Sequence, residues 1–312
     1  MKVLVTGSNG FVGRHLVCAL LASGHEVVAA SRSECRLPAG NVRWVSSPDL
    51  NGNADWFQRL EGADAVVHLA ALAHVLRDEC NPVMESVYHQ VNCEGTFVLA
   101  TQAASFGVKH FVFLSSCHAV AARSDVVLTE RTPPNPSSPY GRSKLAAEAA
   151  LRQALRAATC TYTILRPPLV YGPGNLANFA RLITLIKSGI PLPFGSVRNI
   201  RSLVSVQNLV DLILTCIANP RAANRIYFPS DMEDISTPGL IRSLAEAWGL
   251  PARLFRVPPS FLSVASRFRG LGDLGKLTSS LYVDSDPLRT ELSWIPPYSL
   301  EEGLRMMSRL ET

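Results

Sequence analysis

A tyrosine and a lysine four residues apart, Tyr140 and Lys144, have the residue types and spacing needed to move a proton. Residues at this spacing share one face of a helix, and the alanine-rich stretch over residues 140–157 predicts such a helix. A tyrosine ordinarily titrates near pH 10, and an ammonium group beside it favours the phenolate. We therefore expect this pair to exchange a proton with a substrate hydroxyl, although the spacing alone also fits a solvated surface pair.

The start of the chain carries glycines at the spacing of a phosphate-binding turn. Gly7, Gly10 and Gly13 follow an apolar run at residues 3–5, and a helical pattern follows them. Gly7 permits a tight turn, Gly10 lets backbone N–H groups approach a pyrophosphate, and Gly13 lets the helix pack close to the strand. This order of strand, turn and helix predicts a dinucleotide site; the alternative is a turn that serves the fold alone.

The bulk composition is that of a globular protein with a large core or two lobes: 312 residues, 47% hydrophobic and 18% charged. The dispersed net charge of +5 suits anionic ligands such as nucleotides and argues against nucleic acid. Seven scattered cysteines without a C-x-x-C pair predict free thiols in the cytoplasm and no metal site. We expect no signal peptide and no membrane-spanning helix.

Apolar runs alternate with helical patterns through the first half of the chain. Strands are predicted over residues 25–30, 63–69, 109–115 and 161–165, and helices over residues 91–106 and 140–157. This alternation predicts the α/β class, a Rossmann doubly wound parallel sheet whose ligands lie at the carboxyl ends of the strands.

Proline and glycine cluster after Arg166, which predicts a smaller, loop-rich α/β substrate lobe over residues 166–312. The dinucleotide-binding domain spans residues 1–165 and also receives a segment near 200–228. Three features predict helices in the lobe: apolar periodicity over residues 176–187 and 208–218, Thr237 as the N-cap of a helix over 238–248, and a Ser299–Glu302 capping box. Residues 258–276 fit either an amphipathic segment at a membrane surface or a solvated loop or helix.

Five motifs, spread over more than half of the chain, carry a resemblance to a known family. They are Thr6–Gly13 (TGSNGFVG), Asp64–Ala71 (DAVVHLAA), Val91–Thr96 (VNCEGT), Ser137–Lys144 (SSPYGRSK) and Arg166–Gly174 (RPPLVYGPG). The chain resembles the extended short-chain dehydrogenase/reductases, which include nucleotide-sugar epimerases, dehydratases and reductases. It looks most like the UDP-glucose 4-epimerase-like subgroup of polysaccharide clusters, whose members act on UDP-linked sugars or on lipid-diphosphate N-acetylhexosamine.

The resemblance implies roles for individual residues. Tyr140 becomes the general acid/base, and Lys144 holds the nicotinamide ribose. The expected cofactor-binding residues are Gly7, Asn9, Gly10, Phe11, Val12, Gly13, Ser31, Arg32, Asp49, Leu50, Leu69, Ala70, Ala71, Asn92, Ser115, Tyr140, Lys144 and Pro167. The expected substrate-binding residues are Cys117, His118, Asn178 and Arg201, of which Asn178 and Arg201 would hold the diphosphate.

The chain departs from the family at the position of the catalytic Ser or Thr, which falls on Cys117. A thiol is a poor hydrogen-bond donor. Ser116 is the first candidate to take over this role; alternatively His118 helps, or Tyr140 works with less assistance. A second departure is the lack of an evident second phosphate-binding arginine near the C-terminal end, for which Arg267, Arg269 or Lys276 would substitute.

The end of the second strand also departs, because Ser31 and Arg32 stand where an NAD-preferring member carries an acid. This favours NADP(H); NAD(H) remains the alternative if the arginine only stacks on adenine. An exchangeable NADPH favours a 4-keto-sugar reductase over a 4-epimerase with retained NAD. A dehydratase ranks lower, since no acid follows Ser116, and a non-catalytic sensor is a third class. The predicted partners are a UDP-sugar or a lipid-diphosphate sugar, and a second copy of the chain in a homodimer.

Overall fold

The computed structural model describes residues 1–34, 39–73, 82–174, 179–258 and 277–309. A seven-stranded parallel sheet runs in the order β3-β2-β1-β4-β5-β6-β9. Its strands are β1 (Lys2–Thr6), β2 (Glu26–Ser31), β3 (Val42–Ser46), β4 (Ala65–His68), β5 (His110–Leu114), β6 (Thr161–Leu165) and β9 (Arg225–Tyr227). Two short strands, β7 (Leu169–Tyr171) and β8 (Leu203–Ser205), form a separate parallel pair.

Helices follow the strands in the order expected for β-α-β units. Those of the first half are α1 (Phe11–Ala22), α2 (Phe57–Leu60), α3 (Pro82–Tyr88), α4 (Gly95–Ser105) and α5 (Pro139–Leu155). Those of the second half are α6 (Ala180–Lys187), α7 (Val206–Ala218), α8 (Thr237–Ala247), α9 (Asp286–Leu292) and α10 (Leu300–Arg309). A π-helical turn (His89–Glu94) joins α3 to α4, and 3-10 turns occupy Cys117–Ala119 and Pro220–Ala222.

The central strands are buried on both faces, as their continuous apolar runs predict. One face packs against α1 and α7, and the other packs against α4 and α5. The strand order reverses between β1 and β4, which is the switch point where open α/β sheets bind their ligands. The predicted α/β doubly wound parallel sheet is therefore confirmed.

Several predicted boundaries match, and two need correction. The strand over residues 161–165 and the Ser299–Glu302 capping box are confirmed; the Ser299 N–H donates to Glu302 Oε2 at 2.8 Å. The helix predicted over 176–187 begins at Ala180 in the described residues. Thr237 is wrong as an N-cap, because Ser236 is extended there and its hydroxyl accepts from the Gly239 N–H at 3.2 Å.

The second half of the chain builds its own apolar cluster from α6, α8, α10 and the residues between them. Buried hydrogen bonds connect this cluster to α7, the helix that packs on the main sheet. Tyr171 donates to Asp231 at 2.7 Å, and Asp231 also accepts from the side chain of Asn208 at 2.7 Å. Strand β9, which is part of the main sheet, and helix α7, which packs on it, both lie within the segment 200–228. The division into domains at residue 165 stays a prediction.

Among the helices of the described ranges, none combines the length and the apolar character that a membrane crossing requires. Of the segment 258–276, for which membrane-surface contact was one interpretation, residues 259–276 lie outside the described residues. The same holds for Arg267, Arg269 and Lys276.

Candidate active site

The glycine turn between β1 and α1 is closed by contacts between backbone atoms. Gly7 has a φ of +68°, and its carbonyl oxygen accepts a hydrogen bond from the Gly10 N–H at 2.9 Å. A Cβ at Gly7 would lie 2.8 Å from the Ala70 nitrogen, and a Cβ at Gly13 would clash with the Gly7 carbonyl oxygen. No larger residue fits either position without moving the strand or the helix.

The turn has the properties of an anion cradle, so it fits a dinucleotide. Helix α1 begins at Phe11 with Gly10 as its N-cap, and no side chain accepts a hydrogen bond from its first turn. The hydroxyl of Ser8 is buried there and has no hydrogen-bond partner in the described structure. A pyrophosphate would satisfy these donors at the positive end of the helix. Asn9 and Val12 are half-buried beside the turn.

Ser31, at the end of β2, was expected to bind the cofactor, but its hydroxyl is hydrogen-bonded within the protein. The Ser31 hydroxyl accepts a hydrogen bond from the Trp44 indole N–H at 2.8 Å and donates to the Ser33 carbonyl oxygen at 2.7 Å. Its donor is therefore already used within the protein. Arg32 is exposed and has neither an ion pair nor a hydrogen bond in the described ranges. Arg32 is thus the group available to meet a phosphate at this position.

A chain of buried hydrogen bonds links the glycine strand to the helix that follows β4. His68 Nδ1 lies 2.6 Å from the Thr6 hydroxyl, and its Nε2 lies 3.1 Å from the Thr96 hydroxyl. Thr96 donates its proton to the Asn92 carbonyl oxygen at 2.6 Å, so it must accept from Nε2–H. Burial, followed by the charge of Lys144, lowers the pKa of His68 to about 3, so the ring is neutral. Leu69, Ala70 and Ala71 follow, half-buried.

Asn92 lies in the π-helical turn and connects the end of β4 to the start of α5. Its side chain accepts from the Leu72 N–H at 2.8 Å and donates to the Leu72 carbonyl at 3.0 Å and to the Ser143 hydroxyl at 2.9 Å. Ser143 in turn donates to the Tyr140 carbonyl at 2.8 Å. Asn92 therefore fixes the first turn of α5; its predicted contact with the cofactor stays a prediction.

The first turn of α5 places Tyr140 against the 3-10 turn that follows β5. Ser138 caps the helix, and a Cβ at Gly141 would clash with the His118 carbonyl oxygen. The Tyr140 ring is half-buried, 6.4 Å from the His118 ring and 6.3 Å from the Tyr88 ring. These contacts bring the Tyr140 phenol to the carboxyl end of β5.

Ser116 and Cys117 both lie at the turn against which Tyr140 packs. Burial raises the pKa of Tyr140 above its ordinary value, and the Ser116 hydrogen bond opposes this rise. Burial also raises the pKa of the Cys117 thiol to about 12, so Cys117 remains a neutral, buried thiol. The Cys117 N–H donates to the Pro167 carbonyl at 2.9 Å, which seats Pro167 against this turn.

Lys144 lies one helical turn after Tyr140 and is buried. Its ammonium donates to the Leu114 carbonyl at 2.7 Å and lies 4.5 Å from the centre of the Phe113 ring. Burial lowers the pKa of Lys144 to about 7, and the Glu148 carboxylate opposes this. In the protein without cofactor, burial raises the pKa of Tyr140, and the lowering expected from Lys144 together with an oxidised nicotinamide ring stays a prediction.

Arg201 is half-buried, which removes the interpretation of a surface arginine. One of its guanidinium nitrogens donates to the Ser279 carbonyl at 3.1 Å. Burial lowers its pKa, and the nearby Cys117 opposes this lowering. Its contact with a diphosphate stays a prediction, and Asn178, its predicted partner, lies outside the described residues.

Asp49 and Leu50 follow β3, as predicted. Asp49 is exposed, while Leu50 packs closely on the start of α4, where a Cβ at Gly95 would lie 2.9 Å from the Leu50 Cβ. Their contact with adenine stays a prediction.

Four residues of the site were missed from the sequence: Trp44, His68, Tyr88 and Glu148. Glu148 lies four residues after Lys144, the spacing that had identified the Tyr140–Lys144 pair, so the signal was present. The others are positioned by neighbouring strands and helices, which the chain's local pattern does not reveal.

Replacing Ser116 with alanine is expected to slow turnover about 10- to 100-fold, because a hydrogen bond to a developing phenolate contributes about 1.5–3 kcal/mol. The Ser116 hydrogen bond lowers the Tyr140 pKa. Its loss should therefore move the pH limb that reports the phenolate to higher pH. A pH–rate profile of Ser116→Ala measures both effects, and an unchanged limb would contradict the contact. Ser116→Thr, which keeps the hydroxyl, is the matched control.

Comparison with known proteins agrees with this geometry. Residues 3–228 match the NAD dependent epimerase/dehydratase family. The chain is 41% identical to a UDP-glucose 4-epimerase of Vibrio cholerae over 99% of this chain and 94% of the relative. It is 27% identical to N-acetyl-alpha-D-glucosaminyl-diphospho-ditrans,octacis-undecaprenol 4-epimerase of Escherichia coli O157:H7, over 97% and 93%.

Among solved structures, the chain is similar to MoeE5 in complex with UDP-glucuronic acid and NAD. The TM-score is 0.80 at 27% identity, over 100% of this chain and 99% of that one. The UDP-glucose 4-epimerase of Thermotoga maritima with UDP-glucose gives a TM-score of 0.78 at 25% identity, over 100% and 98%. The fold is thus that of the nucleotide-sugar epimerases, and the chain belongs to the NAD dependent epimerase/dehydratase family of extended short-chain dehydrogenase/reductases.

Proposed function

We propose that the protein catalyses hydride transfer at C4 of a UDP-linked hexose and that the net reaction is 4-epimerisation. The observation that carries the hydride chemistry is the position of Tyr140, which packs against the turn after β5 and lies one helical turn from the buried Lys144. The 41% identity to a UDP-glucose 4-epimerase over 99% of the chain supports the choice of epimerisation.

In this mechanism, Tyr140 takes the proton of the C4 hydroxyl, and Ser116 donates a hydrogen bond to the oxygen as it becomes a carbonyl. Bound NAD(P) supplies the acceptor and donor of hydride. The Lys144 ammonium provides a positive charge near the phenolate, and Tyr140 returns the same proton when the carbonyl is reduced.

A 4-keto-sugar reductase is the second candidate, and Arg32 is the observation that favours it. Arg32 is exposed at the end of β2, and no acid takes the place of Ser31. An arginine there suits the 2′-phosphate of NADP(H). NADPH would be exchanged in each turnover of a reductase, whereas a 4-epimerase regenerates its cofactor and retains it.

The nucleotide that purifies with the protein distinguishes the two reactions. Tightly held NAD in equal amount to the protein supports the epimerase, and loosely held NADP(H) supports the reductase. Assays with UDP-glucose, UDP-N-acetylglucosamine and a UDP-4-keto-6-deoxy sugar then identify the turnover. Formation of no 4-epimer from any UDP-hexose, together with NADPH-dependent reduction of the keto sugar, would overturn the epimerase proposal.

The carrier of the sugar is a further part of the proposal. The relative from Escherichia coli O157:H7 is named for a diphospho-undecaprenol substrate, so a lipid-diphosphate sugar is the alternative to UDP and would place the enzyme in surface polysaccharide synthesis. Both substrates share the diphosphate that the half-buried Arg201 suits. A homodimer and contact with a membrane surface stay predictions.

Replacing Arg32 with alanine should weaken NADP(H) binding about 10- to 100-fold and leave NAD(H) binding nearly unchanged. A charge-assisted hydrogen bond to the 2′-phosphate contributes about 1.5–3 kcal/mol, and NAD(H) lacks that phosphate. Fluorescence titration of both reduced cofactors measures the effect. Equal weakening of the two would show that Arg32 contacts the adenine and does not select the cofactor.

A further inference from the structure

Glu148 is a carboxylate with no exposed surface on the same face of α5 as Tyr140 and Lys144. The three residues follow one another at intervals of four, so they lie in a row along the helix. A buried charge of this kind requires partners, because burial without them costs free energy.

Two residues from neighbouring strand ends hold the Glu148 carboxylate. Arg166 donates from Nε to Oε1 at 2.9 Å and from Nη2 to Oε2 at 2.6 Å. Ser115 donates its hydroxyl to Oε1 at 2.5 Å. The Arg166 guanidinium also lies 5.4 Å from the centre of the Phe228 ring. Both oxygens are therefore engaged, and the carboxylate is fixed in position.

Lys144 makes no direct ion pair within the described ranges, and its ammonium donates to the Leu114 carbonyl at 2.7 Å. Tyr140 and Glu148 lie one helical turn before and after it on α5, His68 at the end of β4 interacts with it electrostatically, and Arg166 after β6 pairs with Glu148. His68 is neutral and Arg166 is cationic. Glu148 is thus the group in this set that can offset the positive charge of Lys144.

We propose that Glu148 is a positioning residue: clamped by Arg166 and Ser115, it acts through space as the counter-charge that keeps the buried Lys144 charged and seated. Because both carboxylate oxygens of Glu148 already accept hydrogen bonds from Arg166, Glu148 stabilises the Lys144 ammonium without forming a direct ion pair with it. The remaining N–H groups of Lys144 stay available for a cofactor ribose, a step that rests on the proposed function.

The test replaces Glu148 with glutamine and follows the binding of NAD⁺ and NADP⁺ against pH. Lys144 should hold the ribose only while it is protonated, so affinity falls as pH rises through its pKa, which is about 7. Removing the carboxylate should lower that pKa. We expect this limb, the pH at which cofactor affinity falls, to move about one unit towards acid. Above that pH, the affinity should be about tenfold lower than that of the wild type. ¹³C NMR of labelled lysine reads the same shift without cofactor.

The variant Glu148→Gln leaves Arg166 buried without its counter-charge. The double variant Glu148→Gln/Arg166→Met leaves neither charge unpaired and is compared with Arg166→Met, from which it differs only in the carboxylate, so that the loss of the Arg166 cation cancels from the comparison. Glu85→Gln is the control. It removes an exposed carboxylate of α3 that pairs at 2.7 Å with Arg142, which lies in the same helix as Glu148. That variant should keep the wild-type limb.

A wild-type limb and a wild-type Lys144 pKa in a folded Glu148→Gln protein, or no difference in either between the double variant and Arg166→Met, would overturn the proposal. The NMR readout is independent of any sugar. A shifted Lys144 pKa in a protein that turns over no UDP-hexose would therefore support the role of Glu148 and contradict the proposed function alone.

Discussion

Replacing Tyr140 with phenylalanine should lower kcat about 10²- to 10⁴-fold with UDP-glucose or the best UDP-hexose. The substitution removes only the hydroxyl that would accept the C4 proton, and general acid–base catalysis contributes about that factor. The ring contacts with Tyr88 and His118 remain, so the fold and the nucleotide site should be preserved. Steady-state kinetics beside a cofactor titration measures the two effects separately.

Tyr162→Phe is the matched control for this variant. Tyr162 lies in β6 beside Thr161, at the amino end of the sheet, whereas Tyr140 lies at the carboxyl end of β5. The control loses the same atom far from the site, so it should keep wild-type turnover. If Tyr140→Phe also kept wild-type turnover, another group would have to carry the proton, and the proposed mechanism would be wrong.

The turn after β5 shows where local sequence ceases to determine the site. Counting back from Val120 places a thiol, Cys117, at the position of the family's hydroxyl. In the structure, Ser116 is extended, with a φ of −160°, and Cys117 begins a 3-10 turn. That backbone change buries the Cys117 thiol and leaves Ser116 outside the 3-10 turn. Sequence narrows the choice to these neighbours, and the role of Ser116 toward Tyr140 stays a prediction.

The spacing places Glu148 on the helix face of Lys144 but does not predict its burial, because a glutamate in an alanine-rich helix usually marks a solvated face. Its burial depends on Arg166 and Ser115, which are 18 and 33 residues away along the chain. Trp44 is similar: it reaches Ser31 because β2 and β3 pair in the register Ala29 to Trp44. The strands and the glycine turn were predictable, since their signals are local, whereas these pairings arise only when the sheet forms.

The second large effect is expected at Gly13, where alanine should weaken binding of NAD⁺ and NADP⁺ at least about tenfold. The added Cβ would clash with the Gly7 carbonyl and lie 2.8 Å from the Ser8 Cα. Gly7 has little room to move, because the Ala70 backbone lies against it. Helix α1 must therefore shift away from β1, and a cost of about 1–3 kcal/mol in the free energy of unfolding is typical of such overpacking.

The loss of affinity follows from the same displacement, because it moves the first-turn N–H groups that would hold the pyrophosphate. Gly107→Ala is the control: its φ of +74° makes any side chain strained, yet nothing lies within 4 Å of the added Cβ. It should lower stability by about 1–2 kcal/mol and leave affinity unchanged. Thermal melts and cofactor titrations of the two variants distinguish the backbone strain at residue 107, which should lower stability alone, from the steric clash at residue 13, which should also lower cofactor affinity. Wild-type affinity in Gly13→Ala would show that the cofactor does not depend on this close packing of helix on strand.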